Sequence, residues 1–93
     1  MAKLNPLLHQ ELRLSIVSFL AGVESADFNK LLETTKASKG NLSVQLTKLK
    51  DAGYIDVEKS FKGNYPHTEC KITQDGQKAL EEYIAQLKSL LNL

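Results

Sequence analysis

The residue types that perform catalysis or bind metals occur in this sequence, but their spacing suits neither task. His9, His67 and Cys70 match no zinc-ligand spacing. The adjacent acids Glu81 and Glu82 point apart on a helix, so they do not form an acid/base pair. The sequence contains neither a glycine-rich phosphate loop nor a nucleophile–base motif. We therefore expect no enzyme activity, no metal and no cofactor.

Lysines are concentrated in the middle of the chain, which suggests contact with a polyanion. Residues 1–35 carry three basic and four acidic side chains, residues 36–71 carry seven and four, and residues 72–93 carry two and three. The three segments thus have net charges of −1, +3 and −1, which sum to the +1 of the whole chain. One positive face of this kind is the electrostatic footprint of nucleic-acid binding. Chance clustering of solvated lysines explains the charge equally well, so the fold must decide.

Apolar spacing predicts three short helices in the first half of the chain. The first begins at residues 5–6, with an Asn cap before a first-turn Pro, and ends at Gly22. Ser25 caps the second helix; Ser38 caps the third, which closes at Gly53. The main apolar positions of the three helices are Leu7, Leu8, Leu12, Ile16, Phe19 and Leu20, then Phe28, Leu31 and Leu32, then Leu42, Leu46 and Leu49.

The apolar pattern changes to alternation after the third helix. Residues 54–60 and 68–73 predict the two strands of a hairpin, while Gly-Asn and Pro within residues 61–67 predict a long polar loop between them. Thr73 caps a long last helix. The predicted order α-α-α-β-β-α is that of an α+β winged helix-turn-helix, one domain over residues 1–93. Its helix-turn-helix spans about residues 25–52 and its wing about 54–73, and the third helix of such a fold enters the DNA major groove.

The residues themselves resemble a compact group of single-domain winged helix-turn-helix proteins related to regulators of the MarR and ArsR type. The matching pattern is Gly40-Asn41-Leu42-Ser43, Ala52-Gly53-Tyr54-Ile55, Glu58-Lys59-Ser60-Phe61 and Ile72-Thr73, followed by Gly76 and Leu80. It covers about residues 7–91. The resemblance implies a DNA-binding transcription regulator. At the wing tip this chain has Asn64, Tyr65 and His67, where the group often has basic residues.

The outward side chains of the third helix and of the wing are the candidate DNA contacts. The amides of Asn41 and Gln45 suit adenine edges, and Val44 suits a thymine methyl group. Arg13 is expected to pair with an acid such as Glu33 in preference to a phosphate. The predicted contacts are Ser38, Lys39, Asn41, Ser43, Val44, Gln45, Thr47 and Lys48 on the helix, and Lys59, Lys62, Asn64, Tyr65 and His67 on the wing.

The last helix is long for one small core. Residues 74–91 span about 27 Å as a helix, and their apolar positions recur at steps of four, three and four. We therefore expect a homodimer through this dimerisation helix. A helix folded entirely onto its own domain is the alternative. The predicted interface residues are Leu80, Tyr83, Ile84, Leu87, Leu90 and Leu91.

The expected function is sequence-specific binding of double-stranded DNA by a dimeric, cytoplasmic transcription regulator. No apolar run is long enough to span a membrane, and no small-molecule ligand is evident. The single cysteine excludes an internal disulfide, which agrees with a reducing compartment. The alternative is a winged helix that binds another protein without DNA. The near-neutral net charge and the weakly basic wing tip favour that alternative.

Overall fold

The computed structural model describes residues 3–93, and its elements follow the predicted order with one addition. In chain order they are α1 (Glu11–Ala21), β1 (Ala26–Asp27), α2 (Phe28–Thr35), α3 (Lys39–Asp51), β2 (Ile55–Lys62), β3 (Tyr65–Ile72) and α4 (Gln74–Leu91). The short strand β1 was not predicted. The predicted α+β winged helix-turn-helix fold with a long last helix is confirmed. Within the described residues, no helix has the length and apolarity needed to cross a bilayer.

The start of α1 differs from the prediction. The Asn5 side chain accepts hydrogen bonds from the backbone N–H groups of Leu7 and Leu8, at 2.9 and 3.3 Å. These bonds cap an isolated turn, because α1 itself begins only at Glu11. The N-cap of α1 is Gln10, whose side-chain oxygen accepts the N–H of the third residue of the helix.

The start of α2 also differs, because the chain is still extended where a cap was predicted. Ala26 and Asp27 pair antiparallel with β3, and Ala26 lies opposite Cys70. The N-cap is therefore Asp27, whose carboxylate accepts the N–H of Lys30 at 2.7 Å. Ser25 lies one residue before the strand and caps no helix. In contrast, Ser38 and Thr73 do cap α3 and α4 as predicted.

The hairpin is longer and its turn tighter than predicted. β3 lies in the middle of the sheet, between β1 and β2. Its pairing with β2 runs from Ile55 opposite Ile72 to Lys62 opposite Tyr65. Residues 63–64 form the whole connection, and only the glycine there has a positive φ, +64°, which fits a type II′ turn. The predicted loop over residues 61–67 is wrong: all but these two residues belong to the strands.

The core lies between the helices and the inner face of the sheet. The buried apolar side chains are Leu8, Ile16, Val17, Leu20, Ala26, Leu31, Leu42, Leu46, Leu49, Ile55, Cys70, Leu80 and Tyr83. Because Cys70 is buried among them, the pKa of its thiol is raised to about 11, and this cysteine is protonated at neutral pH.

Helix α4 begins in close contact with the segment that follows α3. The Thr73 hydroxyl donates to the carbonyl oxygen of Gly53 at 2.6 Å, and the Thr73 N–H donates to that of Tyr54 at 3.0 Å. Gly76 permits this approach, because a Cβ atom there would lie 2.1 Å from the Tyr54 oxygen. Backbone contacts thus hold α4 against the end of α3.

Candidate nucleic-acid interface

Helix α3 leaves a polar face exposed beside its buried leucines. Leu42, Leu46 and Leu49 are held in the core, as their spacing predicted. Val44 is 51% exposed among polar neighbours. The predicted contact residues that the structure leaves exposed on or next to α3 are Ser38, Lys39, Asn41, Ser43, Val44, Thr47 and Lys48.

Gln45 is the exception, and its predicted exposure is wrong. Its side chain is buried, with 8% of its surface exposed. The Gln45 amide oxygen accepts a hydrogen bond from Arg13 Nη1 at 2.6 Å, and its Nε2 donates to Asn41 Oδ1 at 3.0 Å. The position borders the buried leucine stripe, and these two partners satisfy the amide there. Gln45 therefore lacks the free amide that reading a base edge requires.

Arg13 has a different partner from the predicted one. Besides Gln45, its Nε donates to the carbonyl oxygen of Leu7 at 2.6 Å. The Glu33 carboxylate instead lies 3.8 Å from Lys30 Nζ, one helical turn away on α2. Arg13 therefore joins α1 to α3: it makes a structural pairing, as predicted, but its partner is Gln45 on α3 and not an acid such as Glu33.

The wing divides its candidate residues between two faces. Side chains alternate along a strand, so Lys59 and Phe61 share the inner face with Val57. Lys62 lies on the outer face, opposite Tyr65 at the turn. Phe61 and Tyr65 are 73% and 78% exposed, so each face of the tip carries an accessible aromatic ring. Asn64 lies in the turn itself.

His67 is engaged on the outer face. Its Nε2 lies 2.6 Å from Glu69 Oε2, and Ser25 Oγ donates to Glu69 Oε1 at 2.7 Å. The Ser25 hydroxyl and the neighbouring imidazole lower the pKa of the Glu69 carboxyl from its ordinary value. Glu69 thus occupies His67 Nε2, so the predicted phosphate contact by His67 stays a prediction in which this nitrogen already has a partner.

A cleft of about 310 Å³ separates α3 from the inner face of the hairpin. Its floor is apolar, and its polar lining consists of two ammonium groups and three hydroxyls. The two ammonium groups and the hydroxyls of Ser43 and Thr68 can donate hydrogen bonds to the oxygen atoms of a phosphate, whereas the Thr47 hydroxyl donates to the Ser43 carbonyl oxygen at 3.1 Å. The cleft is lined by Phe28, Leu46 and Val57 and by Ser43, Thr47, Lys50, Lys59 and Thr68.

Two residues of this cleft, Lys50 and Thr68, were missed by the sequence reasoning. Lys50 follows Ser43 and Thr47 at steps of four and three, so its place on one flank of α3 was available from helical spacing. Thr68 lies opposite Lys59 in the hairpin register. That register depends on the tight turn at residues 63–64, where the sequence predicts a longer loop.

The predicted dimer surface on α4 is only partly exposed. Leu80 and Tyr83 are buried in the chain's own core, and the Tyr83 hydroxyl lies 2.9 Å from His9 Nδ1. Their assignment to a dimer interface is therefore wrong. The remaining predicted residues form an apolar surface on the second half of the helix: Ile84, Leu90 and Leu91 are exposed and Leu87 is half-buried.

Comparison with known proteins identifies the family. A family model described as a winged helix DNA-binding domain matches residues 12–91. The chain belongs to this family. An uncharacterised protein of Methanocaldococcus jannaschii is 35% identical over 78 residues, covering 84% of this chain and 85% of the relative. The resemblance to winged-helix regulators is thereby confirmed at the level of the family.

Solved structures of transcription regulators share the fold. A transcriptional regulator homologue from Pyrococcus horikoshii superposes with a TM-score of 0.85 at 24% identity, covering 92% of this chain and 85% of its own. PadR of Bacillus subtilis, solved in complex with operator DNA, gives a TM-score of 0.71 at 18% identity over 81% of this chain and 48% of its own. Both likenesses concern the fold.

Proposed function

We propose that this winged helix DNA-binding protein is a sequence-specific, homodimeric transcription regulator that acts in the cytoplasm on double-stranded DNA. The observation that carries the proposal is the cleft between α3 and the wing, which brings together two ammonium groups and the hydroxyls of Ser43 and Thr68. A phosphodiester strand placed in this cleft has the exposed face of α3 on one side and the wing on the other. The position of α3 then suits the major groove, as in other helix-turn-helix proteins.

Each part of the surface has a distinct role in this proposal. The exposed Asn41, Val44 and Lys48 read base edges, because amide, methyl and ammonium groups each match particular edges in the major groove. Lys50 and Lys59 neutralise phosphates in the cleft. The remaining exposed candidates support these contacts: Ser38, Lys39, Ser43 and Thr47 on α3, and Lys62, Asn64 and Tyr65 at the tip of the wing.

The exposed half of α4 provides the proposed dimer contact. Ile84, Leu87 and Leu91 follow each other at steps of three and four, so they form one continuous stripe along the helix. Pairing two such stripes removes exposed leucine surface from water. A two-fold dimer also presents two copies of α3 to adjacent half-sites, about one DNA turn apart.

The test is DNA binding measured at several salt concentrations. DNA fragments selected from a random pool serve as the specific target, and scrambled fragments serve as the reference. We expect Lys50→Ala and Lys59→Ala each to weaken binding to both DNAs and to reduce the salt slope by about 0.9 per lost contact, or about 1.8 per dimer. Lys78→Ala removes the same charge from α4, outside the cleft, and should change neither quantity.

The exposed aromatic rings at the wing tip favour one alternative. Phe61 and Tyr65 suit a protein partner as well as DNA, and the net charge of +1 adds little attraction for a polyanion. If the wild-type protein selects no DNA fragments from the pool, and its affinity for scrambled DNA does not depend on the salt concentration, the DNA proposal fails. The protein-binding alternative is then favoured.

A further inference from the structure

A hydrogen-bonded relay runs from α1 to the exposed face of α3. Its links are Arg13 Nη1 to Gln45 Oε1, at 2.6 Å, and Gln45 Nε2 to Asn41 Oδ1, at 3.0 Å. A further bond, from Arg13 Nε to the Leu7 carbonyl oxygen at 2.6 Å, fixes the guanidinium end. The relay ends on Asn41, which is exposed on the surface proposed to face DNA.

The chemistry of arginine fixes the direction of this relay. A guanidinium group only donates hydrogen bonds, so the Gln45 atom beside Arg13 is the amide oxygen. The Gln45 nitrogen must then face Asn41 and, being a donor, it meets the Asn41 oxygen. Arg13, which has no acceptor, therefore determines which way the side-chain amides of Gln45 and Asn41 are turned.

We propose that Arg13 and Gln45 are positioning residues that set which base edge Asn41 reads. Because Gln45 already donates to the Asn41 oxygen and holds it toward the protein, the Asn41 group without a partner, and so available to DNA, is its NH2, a donor. A free donor selects acceptor edges, above all guanine, which offers both O6 and N7 in the major groove. Paired recognition of adenine needs the oxygen as well as the nitrogen, so this relay disfavours it. The proposal rests on the proposed function.

The isosteric variant Gln45→Glu provides the decisive perturbation. Its carboxylate still accepts from Arg13, and the adjacent guanidinium keeps it ionised. It cannot donate to Asn41, so the Asn41 amide must reverse and give its NH2 to the carboxylate. The Asn41 oxygen then faces DNA, and an acceptor at this place selects donor edges such as cytosine N4 or adenine N6.

Side-chain amide exchange measured by NMR tests the relay without DNA. In the wild-type protein the Gln45 NH2 is buried and bonded, so its protons should exchange slowly, whereas those of Asn41 should exchange fast. In Gln45→Glu the Asn41 protons should become protected. If the wild-type Gln45 protons exchange as fast as those of Asn41, the relay is absent and the proposal is overturned.

Base preference at the position read by Asn41 tests the consequence. Binding to the selected DNA and to its three single-base variants should show a preference of about tenfold for guanine in the wild-type protein. Gln45→Glu should move that preference to cytosine or adenine. In an Asn41→Ala background, the same Gln45→Glu change should lower affinity through its added charge but leave the base preference unaltered.

The outcomes separate this proposal from the proposed function. If the wild-type protein binds selected DNA but Gln45→Glu leaves the preference at that position unchanged, the positioning role is refuted and the DNA-binding function stands. If the wild-type protein selects no DNA, both the positioning role and the DNA-binding function are refuted. Should Gln45→Glu lose its circular-dichroism unfolding transition, the apolar pair Arg13→Leu with Gln45→Leu replaces it. That pair frees the Asn41 amide to turn either way, and a preference as narrow as that of the wild-type protein would overturn the proposal.

Discussion

Gly76→Ala tests the contact that holds α4 against the rest of the protein. The added Cβ atom would lie 2.1 Å from the Tyr54 carbonyl oxygen and 2.9 Å from Ile72 Cγ1. Ordinary contact begins at 3.4 Å, so the backbone segments must separate by about 1.3 Å. The obstacle is backbone, which cannot turn aside as a flexible side chain can. The hydrogen bonds from Thr73 to Gly53 and Tyr54 hold the same two segments together, so the separation strains them too.

The expected cost lies at the upper end of the range for overpacking, about 3 kcal/mol. Alanine regains up to about 1 kcal/mol through its higher helix propensity. The net destabilisation is therefore about 2 kcal/mol, which lowers the Tm of a domain of this size by roughly 8–16 °C.

Gly40→Ala is a matched control, because it makes the same change in the first turn of α3. A Cβ atom there meets nothing within 4 Å, and the residue has no positive φ. Only the propensity gain remains, so we expect an unchanged or slightly raised Tm. Thermal unfolding followed by circular dichroism, at one fixed protein concentration, measures both variants. Equal Tm values for the two variants would refute the reasoning from the Gly76 contact.

Two further predictions concern the α4 surface and the acidic side of pH. Leu91→Asp, at a position 55% exposed, should reduce the mass in sedimentation equilibrium from two chains to one and leave the fold intact; a dimer that persists would place the interface elsewhere. Glu69, whose pKa is lowered in the folded protein, stabilises the fold above its unfolded pKa, and this contribution is lost as pH falls through the folded pKa. Glu69→Gln should therefore lower the Tm at neutral pH, and its Tm should converge with that of the wild-type protein under acid; equal Tm values at neutral pH would contradict this.

Local signals in the sequence predict the starts of α3 and α4 correctly. Ser38 and Thr73 were identified because a hydroxyl three residues before a free N–H needs no distant partner. β1 could not be found in this way. This strand consists of only two residues, Ala26 and Asp27, which is too short for a periodic pattern. They are extended because they pair with β3, more than forty residues further along the chain.

In the wing, a proline lies inside a strand that the sequence predicts as a loop. Pro66 predicts a loop, because proline cannot donate to a strand ladder. Counting from the closing pair Lys62 and Tyr65, the alternation of an antiparallel ladder gives Pro66 a position that donates nothing to β2. Its nitrogen faces the other edge, where β1 pairs only with Glu69 and Cys70 and leaves that edge open at Pro66. A proline in this register therefore leaves the ladder intact.

The candidate site was predictable where it depends on a single helix and unpredictable where it depends on contacts between elements. The exposed face of α3 follows from the spacing of Leu42, Leu46 and Leu49. The burial of Gln45 does not, because its position borders that stripe and its orientation depends on Arg13, thirty-two residues earlier. The sequence predicts that Gln45 contacts DNA directly, whereas we propose that it acts by positioning Asn41.

The link between α3 and α4 has a consequence for the proposed dimer. Tyr54, in the segment after α3, is bonded to both sides: its N–H donates to the Leu49 oxygen of α3 at 3.0 Å, and its oxygen accepts from the Thr73 N–H at 3.0 Å. Gly76 brings α4 into contact with this same segment. The angle between the helix proposed to read DNA and the helix proposed to form the dimer is therefore held by backbone contacts. In a dimer built on α4, these contacts set the separation of the two α3 helices, and with it the spacing of half-sites that the protein accepts.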